Sequence, residues 1–302
     1  MASGTPTNRT NIDLPNEVSS EIIQKTTESS MIMRLARQIK LPATGAQIPV
    51  IAADPEASWV SETAAKPVSN PTLSKKVMQA HKLAVIVPFS DEFRRDASAL
   101  YDALIARLPY VLGKKFDNTV FFGLPLGSLA NFDTFAAVTV QSLASNVYTG
   151  LVAADTDISE HGGIVNGYAF APQGRGVLLS AVDKNDRPLF VDSIAEGAVP
   201  RILGAPTYFG ESAYKEGDNT HPDIVGFAGD WTKAMYGTVE GVKIGISEEA
   251  TLDLGSGNVI NLFQQNMFAV RAEIEVGFVA QTEYFNALSR THTSGSTTTG
   301  ET

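Results

Sequence analysis

Cysteine is absent from this 302-residue chain, and no apolar run approaches the length of a membrane span. Without cysteine there is no disulfide, thiolate nucleophile or thiolate metal site, so stability must come from packing and association. A membrane helix needs about 18 consecutive apolar residues, and the polar start MASGTPTNRTN lacks the hydrophobic core of a signal peptide. We therefore expect synthesis in the cytoplasm and no membrane partner.

Basic charge is also scarce, because 23 Lys and Arg residues face 33 Asp and Glu residues and give a net charge of -10. Such a field repels phosphate, which disfavours direct binding of nucleic acid. The histidines are scattered, and no pair of them has metal-ligand spacing. We predict no metal, no cofactor and no catalytic residues.

The composition is that of a folded protein, with 43% hydrophobic and 19% charged residues. Only the two ends, up to about Asn11 and from SGSTTTGET onward, are polar enough to predict mobile segments. The stretch after the first end carries apolar residues at helical spacing and predicts an arm that docks on a partner. These residues are Val18, Ile22, Ile23, Ile32, Leu35 and Ile39.

Two extended segments, IPVIAA and KLAVIVPFS, flank a polar stretch between about residues 46 and 88. This pattern predicts a long two-stranded arm. An isolated hairpin is marginally stable in water, so we expect this arm to need a neighbouring subunit.

A long amphipathic helix is predicted next, with Gly123 as its stop signal. Its apolar positions are Leu100, Leu104, Leu108, Val111, Leu112, Phe116 and Val120. Pro109 predicts a kink or a break within it.

The remainder predicts a mixed α+β region. SNVYTGLVAADTDIS has the pattern of a shorter helix, and GYAFAP that of a strand. DKNDRP and LGSGN are turn-forming. GTVEGVKIGISEEA and NMFAVRAEIEVGFVAQ predict two long strands, the second with one apolar face formed by Phe268, Val270, Ala272, Ile274 and Val276.

The order of these parts resembles the Hong Kong 97-type major capsid protein of tailed bacteriophages, over roughly residues 12 to 290. The resemblance is carried by segments that follow one another in family order. They are the arm, the loop SWVSETAAKPVSNPTLSKKVMQAHKLAVIVPFSDEFRRD, the helix end KKFDNTVFFG, then GYAFAPQGRGVLLSAVDKNDRPLF, ILGAPTYFGE, GDWTKAMYGTVEGVKIGISEEA and NMFAVRAEIEVGFVAQTEYFNAL.

The resemblance implies an α+β Hong Kong 97-type capsid fold that self-assembles into hexamers and pentamers of an icosahedral head around double-stranded DNA. Partners would be copies of itself and possible scaffolding, portal and decoration proteins, without sequence-specific DNA binding. The expected divisions are an amino-terminal arm (1–44), an extended loop (45–90), a peripheral domain with the spine helix (91–127), an axial domain (128–236), peripheral-domain strands (237–279), and a return to the axial domain with a flexible tail (280–302).

The resemblance also implies a candidate intersubunit crosslink, because some family members join a loop lysine to an asparagine with a glutamate as base. Lys75, Asn266 and Glu273 occupy the matching positions. The alternative is that Lys75 or Lys76 only pairs with acidic groups across an interface. Trp59 and Trp231 are candidate interface anchors, with burial in the core as the alternative for each.

Other interpretations stay open at this point. An encapsulin-type compartment shell shares the fold, although the polar start is unlike a cargo-binding helix. A soluble α+β enzyme is the third hypothesis. Met1 lies only a dozen residues before the arm, so we expect assembly with a separate scaffolding protein or with none, unless the chain starts at a maturation site.

Overall fold

The computed structural model describes residues 30–42, 45–53, 59–60, 66, 68, 72–90, 97–123, 129–182, 185, 189, 201–253 and 259–292. The predictions for both ends, the LGSGN turn and nearly all of DKNDRP lie outside these residues. The helices are α1 (Met31–Leu35), α2 (Ala97–Phe122), α3 (Val147–Glu160) and α4 (Pro172–Leu179). The strands are β1 (Arg37–Lys40), β2 (Ala46–Ala53), β3 (Thr72–Met78), β4 (His81–Ser90), β5 (Thr139–Ser142), β6 (Gly167–Phe170), β7 (Arg201–Ile202), β8 (Ala205–Phe209), β9 (Asp223–Gly229), β10 (Ala234–Thr238), β11 (Lys243–Ser247), β12 (Thr251–Asp253), β13 (Val259–Asn261), β14 (Met267–Ala280) and β15 (Phe285–Arg290).

The first large sheet is built around β14, which pairs antiparallel with β4, β10 and β11, while β1 adds to β10 in parallel. The predicted apolar face of β14 is confirmed, since Phe268, Val270, Ala272, Ile274 and Val276 are all buried. This follows from the two-residue period of a strand, which sends alternate side chains to one side. Leu108 and Leu112 of α2 cover that face.

The long helix α2 is confirmed with its predicted apolar positions Leu108, Leu112, Phe116 and Val120 buried. It ends before Gly123, whose φ of 77° is the left-handed conformation favoured at this position. The break predicted at Pro109 is wrong, because the helix is continuous through that residue. Val111 is also exposed rather than buried.

The second large sheet has the strand order β5-β15-β9-β6-β8-β7. Helix α3 confirms the prediction for SNVYTGLVAADTDIS, and the Asn146 side chain caps it by accepting from Thr149 N at 3.1 Å. GYAFAP forms β6 and leads into α4, as the resemblance implies. Both helices contribute to one apolar cluster against this sheet.

An aromatic core joins the two sheets. Phe135 stacks on Phe285 of β15 at 4.4 Å and meets Phe278 of β14 edge to face at 5.7 Å. Phe121 of α2 stacks on Phe227 of β9 at 4.5 Å. Because its members come from both sheets and from α2, this core holds the α+β fold together as one packed unit.

Three strand predictions need correction. Ile39 does not continue the helix of Ile32 and Leu35 but lies in β1, paired with Gly237. The segment IPVIAA pairs with β3, whereas KLAVIVPFS forms β4 and pairs with β14, where Leu83, Val85 and Phe89 are partly buried against the core. GTVEGVKIGISEEA forms two shorter strands, β10 and β11, that pair with successive parts of β14.

Candidate functional site

The hairpin of β2 and β3 is a separate two-stranded sheet, and its root packs closely against β14. Gly45 has a φ of 85°, and a Cβ there would lie 2.9 Å from Met78 O. A Cβ on Gly277 of β14 would lie 2.7 Å from Gln79 O. Glycine is therefore required at both positions for backbone to approach backbone at the hairpin root.

Lys76 ties this root to the end of β14. Its Nζ donates to Asp133 Oδ2 at 3.0 Å and to Ala280 O at 2.6 Å. The same Asp133 oxygen accepts from Ala280 N at 3.0 Å. The three groups form a small closed network that fixes where the hairpin leaves the body of the subunit.

Lys75 is exposed and stands opposite Pro49 in the hairpin. Within the described residues, no hydrogen bond or ion pair joins it to Asn266 or Glu273. Since successive side chains of a strand alternate in direction, Lys75 and Lys76 point to opposite sides. Lys76 finds its acidic partner in its own chain rather than across an interface, and no described residue forms an ion pair with Lys75.

Asn266 and Glu273 are far apart in one subunit. Asn266 is exposed, with a φ of 50°, in the turn before β14. Glu273 lies within β14, opposite Lys243, with Oε2 3.8 Å from Arg271 Nε. The seven residue steps from Asn266 to Glu273 span about 23 Å of extended chain. They can act together only if different subunits supply them.

The start of the described chain is fixed to α2 by a buried carboxylate. Asp117 is fully buried and accepts from Ser30 Oγ at 2.5 Å, Met31 N at 2.9 Å and Ile32 N at 3.3 Å. Burial raises the pKa of Asp117 to about 7, against the opposing effect of these hydrogen bonds. Residues 30–32 are therefore anchored at a defined point on α2.

A second buried carboxylate, Asp223, organises the end of β15. It accepts from Gly217 N at 2.9 Å, His292 Nδ1 at 2.7 Å and Arg290 Nε at 3.0 Å. Burial opposes ionisation, but these hydrogen bonds outweigh it and lower the pKa of Asp223 to about 2. The carboxylate holds the strand end against the loop that precedes β9.

Comparison with known proteins identifies the family of this chain. The model of the phage capsid family matches residues 12–289. The chain belongs to the phage capsid family. It is similar to the "Probable major capsid protein gp17" of Mycobacterium phage D29, at 26% identity over 287 residues that cover 88% of this chain and 86% of that protein.

Solved structures show the same fold. A chain from Mycobacterium phage Bobi superposes with a TM-score of 0.70 at 22% identity, covering 88% of this chain and 91% of that chain. The capsid of an empty GTA particle gives 0.63 at 14% identity, over 96% and 95%. The predicted Hong Kong 97-type capsid fold is confirmed. Because the relatives are major capsid proteins, the phage capsid interpretation is favoured over an encapsulin or an enzyme.

The two tryptophans of this capsid subunit have different environments. Trp231 is 3% exposed, donates from Nε1 to Gly167 O at 3.0 Å, and meets Phe285 edge to face. Of its two alternatives, burial in the core is the one observed, and it cannot anchor an interface. Trp59, between β2 and β3, is fully exposed, as is most of Val68. Trp59 stays a candidate anchor.

Sequence reasoning named Lys76 only as a partner for acidic groups across an interface, and it missed Asp133 and Asp117. Strand alternation could have separated Lys76 from Lys75, but nothing local marks Asp133 as its partner. In the described part of the chain, no cluster of three His, Asp or Glu residues could hold a metal ion. Across the same residues, no helix combines the length and apolarity needed to cross a membrane.

Proposed function

We propose that this chain is the major shell subunit of a tailed-phage head, forming hexamers and pentamers of an icosahedral capsid around double-stranded DNA. The observation that carries the proposal is a family match across nearly the whole chain, combined with a hairpin that lies outside both sheets and carries a fully exposed Trp59. The role is structural, and we propose no catalytic activity.

The hairpin supports assembly on energetic grounds. A two-stranded sheet alone is marginally stable, and ordering each of its residues costs about 1 to 2 kcal/mol of conformational entropy. Fixing the root through Lys76 does not bury Trp59 or Val68. Contact with a neighbouring subunit offsets the cost by removing this apolar surface from water.

The sheets suggest how the subunit is divided. We assign the sheet around β14, together with α2, to a peripheral domain, and the sheet from β5 to β7 to an axial domain near the capsomer centre. Of the expected arm 1–44, residues 31–41 belong to the subunit's own core and sheet, and of the expected loop 45–90, β4 belongs to the sheet around β14. The hairpin of β2 and β3 is therefore assigned as the element that reaches neighbours. The net charge of -10 suits a wall that encloses DNA without binding it tightly.

Assembly is proposed to take place in the host cytoplasm, with scaffolding, portal and decoration proteins as further partners. The test of the main proposal is negative-stain electron microscopy of the purified chain, with size-exclusion chromatography at several concentrations. Shells or capsomer rings are expected. A strictly monomeric protein, even with candidate scaffold added, would refute it.

The crosslink stays a secondary proposal, in which Lys75 Nζ of one subunit attacks the side-chain amide carbon of Asn266 of a second. An isopeptide bond forms, the C–N bond of the carboxamide breaks and ammonia leaves, while Glu273 of another subunit accepts the proton of the attacking amine. The exposed positions of Lys75 and Asn266 favour it. The position of Glu273 weighs against it, because Oε2 already lies 3.8 Å from Arg271 Nε of its own chain and the residue stands opposite Lys243. Denaturing electrophoresis of mature particles separates the two cases, as a ladder indicates the bond and a single monomer band excludes it.

A further inference from the structure

Asp117 of α2 is a buried acid that the shell function leaves without a role. Its side chain and that of Ser30, the residue before α1, are both fully buried. The carboxylate accepts from Ser30 Oγ at 2.5 Å, Met31 N at 2.9 Å and Ile32 N at 3.3 Å. One ionisable group of α2 therefore carries the polar contacts that hold the start of α1.

All the donors that face Asp117 are uncharged. Among the described residues no cation pairs with it, and Glu28 lies outside those residues. The charged groups on α2 and on the elements around it are engaged elsewhere or exposed. They are Lys114 paired with Glu211 at 2.7 Å, Lys82 paired with Glu275 at 3.3 Å, Arg34 over the Tyr208 ring at 5.3 Å, and the exposed Lys115 and Arg37. A carboxyl group that is buried without a cation favours its neutral form.

The same contacts accommodate a proton. A neutral Asp117 can donate from Oδ1 to Ser30 Oγ, because a hydroxyl both donates and accepts, while Met31 N still bonds Oδ2. Ser30 Oγ also accepts from Met33 N at 3.1 Å, and its two lone pairs allow both bonds. Protonation therefore leaves the segment bonded to α2.

Undocking of residues 30–35 would expose Asp117 to water. An aspartate in water has a pKa near 3.8, whereas burial raises the pKa of Asp117 to about 7. The docked state therefore binds a proton more tightly than the undocked state. By linkage, docking is favoured at low pH and weakens as pH rises toward 7.

We infer that Asp117 is a proton-linked anchor, whose neutral form holds residues 30–35 on α2 and whose ionised form loosens them. When docked, Met31, Ile32 and Met33 lie in the core cluster with Phe116. Release of six residues would lengthen the chain before β1 by about 20 Å and free three apolar side chains for burial on a neighbouring copy. The inference rests on the proposed shell function and adds a pH-dependent control of how far this segment reaches.

Hydrogen exchange of the unassembled parent subunit tests the anchor. After correction for the intrinsic exchange rate, the opening equilibrium of residues 31–35 should rise by up to about a hundredfold between pH 5 and pH 8, since the undocked state is ionised over this whole range. Residues 31–35 should also open more often than β9 at every pH, which separates local release from global unfolding.

A neutral isostere isolates the group. Asp117→Asn keeps the size of the side chain but cannot ionise, so the opening of residues 31–35 should change by less than about threefold over the same pH range. Asp157→Asn makes the same chemical change at a partly exposed position of α3. This matched control should keep the pH response of the parent. If Asp117→Asn does not fold, the response of the parent still decides the question.

The outcomes separate the anchor from the shell. A pH response in the parent that Asp117→Asn removes and Asp157→Asn retains supports the inference. Opening that does not depend on pH, or that equals the opening of β9, overturns the anchor and leaves the shell function standing. If the parent chain shows the pH response but forms neither shells nor rings at any concentration, the anchor is supported and the shell function is refuted.

Discussion

Replacing Lys76 with methionine should loosen the root of the β2–β3 hairpin without unfolding the subunit. The change removes an ion pair of 3.0 Å to Asp133 and a hydrogen bond of 2.6 Å to Ala280 O. Both charged side chains are about one-third exposed, so the ion pair is worth only about 0.5 kcal/mol. The hydrogen bond adds about 1 kcal/mol. Asp133 keeps its bond from Ala280 N, so no buried charge is left unpaired.

A loss of about 1.5 kcal/mol corresponds to about a tenfold change in the equilibrium between docked and undocked root. Hydrogen exchange of the unassembled subunit measures it, and amide protection in β2 and β3 should fall by about that factor while β14 is unchanged. Lys75→Met is the matched control, one residue away on the opposite side of the same strand, and should change nothing. Equal effects of the two substitutions would refute the assignment of Lys76 as the root contact.

Three further changes address the buried groups. Burial raises the pKa of Asp117 from 3.8 to about 7. Between these two values the folded state binds a proton that the unfolded state has lost, so the free energy of unfolding falls as pH rises. The substitution Asp117→Asn should remove this pH dependence from denaturation curves measured from pH 4 to 8. The pKa of Asp223 is lowered to about 2. Its ionised form therefore contributes about 2 kcal/mol to the free energy of unfolding above pH 4, and this contribution is lost as pH falls toward 2. The substitution Asp223→Asn should destabilise the subunit at pH 7 and weaken the dependence of its stability on pH below 4. Phe135→Ala should cost about 4 kcal/mol by opening a cavity in the aromatic core, whereas Phe263→Ala, at a side chain that is 75% exposed, should cost under about 0.5 kcal/mol in chemical denaturation.

Local hydrophobic periodicity predicted those helices and strands whose buried face depends little on which distant segment packs against it. The face of β14 and the positions Leu112, Phe116 and Val120 of α2 follow from two-residue and helical spacing, and the structure confirms them. The resemblance to a family added the fold, which no periodicity in this chain could supply. The helix α2 is continuous through Pro109 although that residue lacks one backbone donor, and Leu108 and Leu112 beside it are packed in the cluster formed with β14.

Long-range pairing is what the sequence could not disclose. KLAVIVPFS looks like one half of a hairpin, yet its partner β14 lies more than 170 residues later in the chain. Ile39 fits a helical pattern, but the strand β10 that captures it in parallel is equally remote. Asp117 has the same limitation, because a helical aspartate is ordinarily exposed and only the returning backbone of Met31 and Ile32 explains its burial.

Folding and assembly use separate parts of this subunit. The aromatic core around Phe135 draws on both sheets and on α2, and it needs no neighbour to exclude water. Exposed apolar residues lie elsewhere, and they include Trp59 and Val68 between β2 and β3, Val140 of β5 and Leu203 in the turn after β7. A substitution at these positions removes little from the core and should change association more than unfolding. The contacts of Lys76 connect the folded core to the hairpin of β2 and β3. They fix the base of the hairpin on the core, while the rest of the hairpin surface is proposed to bind another subunit.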